Sequence, residues 1–467
     1  MKINVPTNHN FYEEKPLSEK QLMAEFSLNK KSELKHVKDK LFSSVFTLTT
    51  KDESLEQIQL FGFKEQRNKL DDDEQLLLKL YSKDKVNGDR QYFIQTGLFA
   101  GVIYHKGYQV NITSKYGDIF LRRMLNYVND IYVDNQKTDA IKSSETNEFQ
   151  NIIAHLFIQA LEKASFLGLP KIYQNITQHS HKVRGKIDMN AYLKKCIPFS
   201  GKLTSILREQ VYVQEIVDAL YFSCTVLERN FGKEIHRKIM GTLQLLKQNY
   251  SGNYPSLETI VKAKRHVSLQ NPAFAPFKRV IEYAEIIIKD QDLLSSNTNN
   301  SLKTQGYLFD ISQLFEVYLE KLLSRYFTDW YVAGQEELTV YEHQFFKRKM
   351  FPDLVLKHKE TGKIIVFDAK FKTMRFVKQD LDRADFYQIH SYIQYYLPKA
   401  VLGGLLYPLS KSNNGDENYA SSLFESEDNN TGFIIDGVFV NEDMSEQQIN
   451  ISEQEFLLRL KDVINRK

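Results

Sequence analysis

Pro352-Asp353-Leu354-Val355-Leu356, then the polar turn Glu360-Thr361-Gly362-Lys363, then Ile364-Ile365-Val366-Phe367-Asp368-Ala369-Lys370 is the stretch that decides the fold. Both apolar runs are short and rich in Val, Ile and Leu, as β-strands are, and the Gly-containing segment between them reads as a turn. If the two strands pair as an antiparallel hairpin, Asp353 at the start of one lies beside Asp368 near the end of the other, and the carboxylates converge. Two such carboxylates repel, and a hard cation such as Mg²⁺, held by one or two carboxylates plus water and phosphate oxygens, relieves the repulsion. Lys370 follows Asp368 by two residues, so both side chains leave a strand on the same face. An ammonium placed there can orient or deprotonate a metal-bound water, or stabilise charge on a phosphorane. The trio suits metal-assisted phosphodiester hydrolysis.

Taken singly, Pro-Asp often does no more than open a turn, and Asp-x-Lys is common on exposed strands. Together they say more, because IIVFDAKF is apolar enough to be a central strand. An Asp and a Lys on one face of a buried strand are costly unless a site uses them.

The rest of the chain sets the context. At 467 residues it is long enough for two to four domains, each with its own core. Its 26% charged and 42% hydrophobic residues exclude a wholly disordered chain. Cys196 and Cys224 are too few for a disulfide framework or a cysteine zinc site. The N-terminal MKINVPTNHNFYEEK lacks the apolar core of a secretory signal, and no apolar run is long enough to span a membrane. These features lead to an expectation of a cytoplasmic protein with no membrane partner. The 62 Lys+Arg against 59 Asp+Glu leave the total charge silent about nucleic acid. Local clustering says more: Phe345, Phe346, Lys347, Arg348 and Lys349 precede Pro352, and Lys372, Arg375 and Lys378 follow Lys370. Such groups can neutralise phosphates flanking a scissile bond.

Three segments follow from the periodicity, with boundaries at roughly residues 1–140, 141–295 and 304–467. The first is β-rich, with strand-like runs at KLFSSVFTLTT and Tyr92–Gln95, hairpin turns at Asn87-Gly88 and Lys106-Gly107, and a helix near Ile119–Val128. The middle carries apolar residues at helical spacing, as in Ile152, Ile153, Leu156, Phe157 and Leu161, and reads as a helical domain. Ser295–Asn300 reads as a linker. The last segment begins with YLFDISQLFEVYLEKLLSRYF, read as one amphipathic helix. The strand pair, a helix at DFYQIHSYIQYYL and a strand at Ala400–Leu406 follow it, with exposed polar loops at SKSNNGDENY and ESEDNNTG. His179 and His181 have no third ligand in view and read as a polar loop.

PD followed by DAK on paired strands after a helix resembles the PD-(D/E)xK nuclease superfamily, and Gln388 with Tyr392 resembles its Q-x-x-x-Y helix. The resemblance implies that Asp353, Asp368 and the Ala369 carbonyl bind Mg²⁺ (or Mn²⁺), that Glu316 assists the metal shell, and that Lys370 serves the attacking water. Gln388 and Tyr392 would support the substrate strand. Within the superfamily the chain is similar to the McrC family of McrBC restriction systems, in LFEVYLE, PDLVL, DAKFK, ADFYQIHSY and KVRGKIDMNAYL, over roughly residues 90–410. Ser114-Lys115 departs from that family's Pro-Lys. The resemblance implies an α+β multidomain chain: a β-rich N-terminal domain for partner docking, a helical middle domain and a C-terminal α/β restriction-endonuclease-like domain. It also implies an endonuclease subunit that cuts double-stranded DNA when driven by a McrB-like AAA+ GTPase or ATPase ring and stimulates that ring's hydrolysis. The absence of a GxxxxGK[ST] phosphate loop fits a subunit that borrows its motor. Arg184 and Lys186 could face partner or DNA. A non-catalytic scaffold and a stand-alone nuclease are the competing readings. The intact Asp353, Asp368 and Lys370 weigh against the first, and the long chain preceding the site weighs against the second.

Overall fold

The computed structural model describes residues 2–11, 15–26, 28, 30–52, 58–63, 74–84, 90–128, 148–195, 197–295, 304–341, 349–372, 381–410, 418–423 and 430–467. Asn87-Gly88, Phe345–Arg348, Arg375, Lys378, most of the expected linker and residues 411–417 and 424–429 of the C-terminal loops lie outside them. The chain is α+β, with five sheets and twelve α-helices among the described residues. It divides into two compact units: Met1–Asp134 together with Asn299–Lys467, and Asn135–Thr298.

In the first unit a five-stranded sheet runs in the order Lys2–Pro6, Tyr108–Thr113, Phe99–His105, Gln305–Asp310, Ile58–Phe61. Its hairpin turns at the expected Lys106-Gly107, with φ 48° and 83°, the two positive φ values that a type I′ turn requires. Strand Gln305–Asp310 pairs with both Phe99–His105 and Ile58–Phe61, so the start of the last segment is built into the N-terminal sheet. This corrects the expected single helix from Tyr307: Tyr307, Leu308 and Phe309 are buried strand residues. The helix begins only at Ile311, where the Asp310 carboxylate accepts from the Gln313 amide at 3.1 Å and caps it. The expected helix after the hairpin spans Asp118–Val128.

The same unit holds a six-stranded mixed sheet in the order Trp330–Gly334, Leu354–His358, Ile364–Ala369, Ala400–Leu409, Gly432–Phe439, Tyr419–Ala420. The first three strands are antiparallel, and Ile364–Ala369, Ala400–Leu409 and Gly432–Phe439 run parallel. A parallel pair requires a crossover, and helix Arg383–Tyr396 lies in the connection between the first two. Gly403 lets that helix sit close: a Cβ there would lie 2.2 Å from Ile393 Cδ1. Helices Ile311–Tyr326 and Glu446–Asn465 pack on the sheet as well. A fully buried Glu453 joins three helices, accepting from Arg123 Nε at 3.0 Å, Tyr127 Oη at 3.1 Å and Tyr318 Oη at 2.8 Å.

The second unit, over the stretch read as a helical domain, holds a sheet as well as helices. Helices Glu148–Ala164, Gln214–Phe231 and Phe277–Ser295 supply much of its core. A three-stranded antiparallel sheet accompanies them, in the order Lys171–Ser180, Leu203–Tyr212, Lys186–Ile187. His179 is part of a strand rather than a loop. Its Nδ1 lies 2.9 Å from Thr204 Oγ1, and His181 Nδ1 lies 2.9 Å from the Gly201 carbonyl. No helix among the described residues is long and apolar enough to cross a membrane.

Candidate active site

The site is assembled by strand register. Leu354 pairs with Phe367, and extending that antiparallel register by one pair sets Asp353 opposite Asp368. Strand Ile364–Ala369 is flanked by Leu354–His358 on one side and Ala400–Leu409 on the other, and every one of its residues is buried. Asp353 Oδ2 accepts from the Ala369 amide at 3.0 Å, which ties the two acidic positions together. The Lys370 amide donates to the Leu406 carbonyl at 2.8 Å and carries the parallel ladder one residue further.

Side-chain alternation separates the faces. The Phe371 ring meets Phe315 of helix Ile311–Tyr326 at 5.5 Å between centroids. Lys370, one residue earlier, turns instead to helix Arg383–Tyr396 and donates to Gln388 Oε1 at 3.0 Å. Gln388 Nε2 donates to Tyr392 Oη at 2.9 Å, and Tyr392 donates to the Phe351 carbonyl at 3.2 Å. The i and i+4 positions of one helix face thus form a relay running from the lysine back to the residue before Pro352-Asp353. That helix is fixed at its start by Asp382, whose carboxylate accepts from the Ala384 amide at 2.9 Å.

The electrostatics are those of a strained acidic pair. Asp368 is 1% exposed, and neither of its carboxylate oxygens receives a well-directed hydrogen bond among the described residues. Its compensation is the Lys370 ammonium, 2.7 Å from Oδ2 but aimed at Gln388. Burial first, and then the charge of Asp353, push the Asp368 carboxyl up to about 8, with Lys370 offsetting part of the rise. For Lys370, burial works against the charge, and Asp368 and Asp353 outweigh it, so the ammonium is held firmly protonated. Burial raises Tyr392 to about 12, keeping it a neutral donor.

The structure therefore brings Asp353, Asp368, Lys370, Gln388 and Tyr392 into one network. Glu316 is half-buried on helix Ile311–Tyr326, which packs against the Asp368 strand. Among the described residues no three His, Cys, Asp or Glu side chains are grouped to hold a metal, so Glu316 does not complete a carboxylate triad. Two carboxylates and a main-chain carbonyl nevertheless suit Mg²⁺, which retains most of its waters. A cation would replace the proton that burial and Asp353 favour on Asp368, and would meet the Asp368 Oδ1 atom, which has no hydrogen-bond partner among the described residues.

Sequence reasoning passed over Asp385. It sits three residues before Gln388 on the same helix face and is 6% exposed. Its Oδ2 forms an ion pair with Lys372 and accepts from Tyr407 Oη at 3.5 Å, while Oδ1 lies 3.7 Å from Lys370 Nζ. The signal was present in the i, i+3, i+7 spacing of Asp385, Gln388 and Tyr392.

These residues lie in a stretch that matches a known family. The profile of the McrBC 5-methylcytosine restriction system component matches residues 94–408. The chain belongs to the McrBC family. The McrC-like resemblance read from the sequence is borne out over that span. The fold is similar to that of a chain in the refined half-complex from the tetradecameric assembly of Thermococcus gammatolerans McrB AAA+ hexamers with bound McrC. That alignment has a TM-score of 0.57 and 14% identity, covering 98% of this chain and 100% of the other. The cryo-EM structure of the Thermococcus gammatolerans McrBC complex aligns over 70% of this chain and 88% of the other at 15% identity. Its TM-score of 0.34 is too low to bear on the fold. No curated protein matches the chain.

Proposed function

We propose that this McrBC-family chain is the Mg²⁺-dependent DNA endonuclease subunit of its restriction complex, with the six-stranded sheet and its helices as a PD-(D/E)xK nuclease domain. The observation that carries the reading is the buried Asp368 carboxylate, set opposite Asp353 with the Lys370 ammonium 2.7 Å away. Asp353, Asp368 and the Ala369 carbonyl are the groups that would hold the cation, and Glu316 is assigned to its outer shell. When bound, Mg²⁺ would supply Lewis acidity to a phosphate oxygen and acidify a bound water. Lys370 keeps its charge and stabilises the negative charge that develops on the phosphorus centre. Gln388 fixes the Lys370 ammonium by hydrogen bonding, and Tyr392 fixes Gln388, so the lysine is positioned before DNA arrives. The partner in this reading is a McrB-like AAA+ nucleotide-hydrolysing ring, which drives double-stranded DNA to the nuclease and whose hydrolysis the chain stimulates.

The test begins with the tagged full-length chain, purified from its host with nucleotide present, so that the AAA+ partner comes with it. Wild type, Asp368→Ala and Lys370→Ala complexes are then compared on DNA with Mg²⁺ and nucleotide. Both variants should keep the partner and lose cleavage by at least about a hundredfold. Retained cutting by both would overturn the catalytic assignment. Recovery of the chain alone, active on DNA with Mg²⁺, would favour a stand-alone nuclease.

A further inference from the structure

The proposed reaction uses Lys370, but it does not explain why a second carboxylate is buried within reach of it. Asp385 is as enclosed as a core residue, and its two oxygens have different neighbours. Oδ2 is taken by Lys372 and Tyr407, while Oδ1 faces Lys370 Nζ at 3.7 Å, one ångström longer than the Asp368–Lys370 pair. The ammonium thus stands among Asp368, Gln388 and Asp385, closest to Asp368. Asp385 and Gln388 come from helix Arg383–Tyr396, whereas Asp368 comes from the strand.

That arrangement has a consequence if a divalent cation enters at Asp353 and Asp368. A cation there would take the place of the proton on Asp368 and would repel the Lys370 ammonium across a few ångströms of low-dielectric interior. A lysine held only by Asp368 would swing away on its flexible stem. We propose that Asp385 is the positioning residue for Lys370: a fixed carboxylate that receives the ammonium when the cation takes over Asp368, and so keeps it beside the scissile phosphate. Lys372 balances the remaining charge of Asp385. The inference rests on the nuclease reading above, and it assigns to this family member a carboxylate outside the Asp353, Asp368, Lys370 set.

The test is a double-mutant cycle on the full-length chain, with Mn²⁺ affinity measured by calorimetry without DNA. Asp385→Asn keeps the size and the Tyr407 contact. It should weaken Mn²⁺ by about tenfold, because the cation then competes with a lysine that has no other carboxylate to accept it. In a Lys370→Met background the same substitution should change Mn²⁺ affinity by less than about twofold. Equal losses in both backgrounds would mean that Asp385 acts through space on the cation, and would overturn the proposal. Lys372→Met should act in the opposite direction, tightening Mn²⁺ binding only where Lys370 is present. It serves as the test if Asp385→Asn does not fold. Cleavage by Asp385→Asn should fall in kcat with DNA affinity unchanged, and Asp385→Glu should restore part of it. Wild type that binds no Mn²⁺ would overturn the nuclease reading and this proposal together. Normal wild-type binding with no effect of Asp385→Asn overturns this proposal alone.

Discussion

Metal uptake at Asp368 should be coupled to the release of a proton. The carboxyl is pushed up to about 8, by burial first and by Asp353 second, so near neutrality it is largely protonated in the metal-free protein. A divalent cation requires the ionised form, and binding must expel that proton. Below the shifted pKa the affinity should rise by up to tenfold per pH unit, which is about 1.4 kcal/mol for each unit. From pH 6 to pH 8 that amounts to roughly fiftyfold, or about 2.3 kcal/mol, because the curve begins to flatten at the shifted pKa. An ordinary carboxylate site is already ionised over this range and would show almost no slope. The assay is calorimetry with Mn²⁺ at three pH values, in two buffers of different ionisation enthalpy, which counts the protons released. Asp368→Asn should lose both the slope and the proton. The same shift fixes the sign for the metal-free fold. A carboxyl whose folded pKa is raised contributes stability that is complete below its unfolded value near 4 and is lost as pH rises towards about 8. Lys370 is raised as well, but its window lies at far higher pH and leaves this one untouched. Wild-type Mn²⁺ affinity that stays flat from pH 6 to 8 with no proton released would refute the claim that Asp368 is held neutral before the cation arrives.

Other consequences are open to direct measurement. Gln388→Ala removes the acceptor 3.0 Å from Lys370 Nζ and the donor to Tyr392, and should lower cleavage kcat by about ten- to a hundredfold with little change in DNA affinity. Unchanged kcat would show that Lys370 needs no support from the helix. Glu453→Gln breaks the ion pair between the fully buried Glu453 and the largely buried Arg123 and weakens bonds from Tyr127 and Tyr318, so urea unfolding should show a loss of about 3–5 kcal/mol. A loss below about 1 kcal/mol would mean that the Arg123 charge finds water instead. Gly403→Ala places a methyl group against Ile393 and should cost about 1–3 kcal/mol while displacing the Gln388 helix. Its diagnostic is a larger fall in kcat than in stability at the assay temperature.

How much of this was legible in the sequence follows from what each residue's placement depends on. Asp353 and Asp368 could be paired from sequence because one short turn joins their strands, and antiparallel register then leaves few choices. Gln388 and Tyr392 could be set on one helix face by their spacing, and the structure joins them at 2.9 Å. Asp385 shares that spacing, but its importance depends on Lys370, Lys372 and Tyr407 meeting it from two other elements, and helical periodicity carries no such information. Strand Gln305–Asp310 was absorbed into the following helix because Tyr307, Leu308 and Phe309 also satisfy an apolar helical pattern. The Asp310 cap marks the true start, yet the strand depends on partners about two hundred residues or more away in the chain, Phe99–His105 and Ile58–Phe61. Lys171–Ser180 failed for the opposite reason. Its residues are largely exposed, with Tyr173 61% exposed and Arg208 stacked over its ring, so no apolar face announced a strand. Local pattern reveals an element when burial is one-sided and its partner is near in sequence. A site assembled from a central strand and a crossover helix therefore shows its acidic pair first and its supporting charges last. That is why Asp385, rather than another member of the Asp353–Asp368–Lys370 set, is the residue on which the double-mutant cycle should be spent.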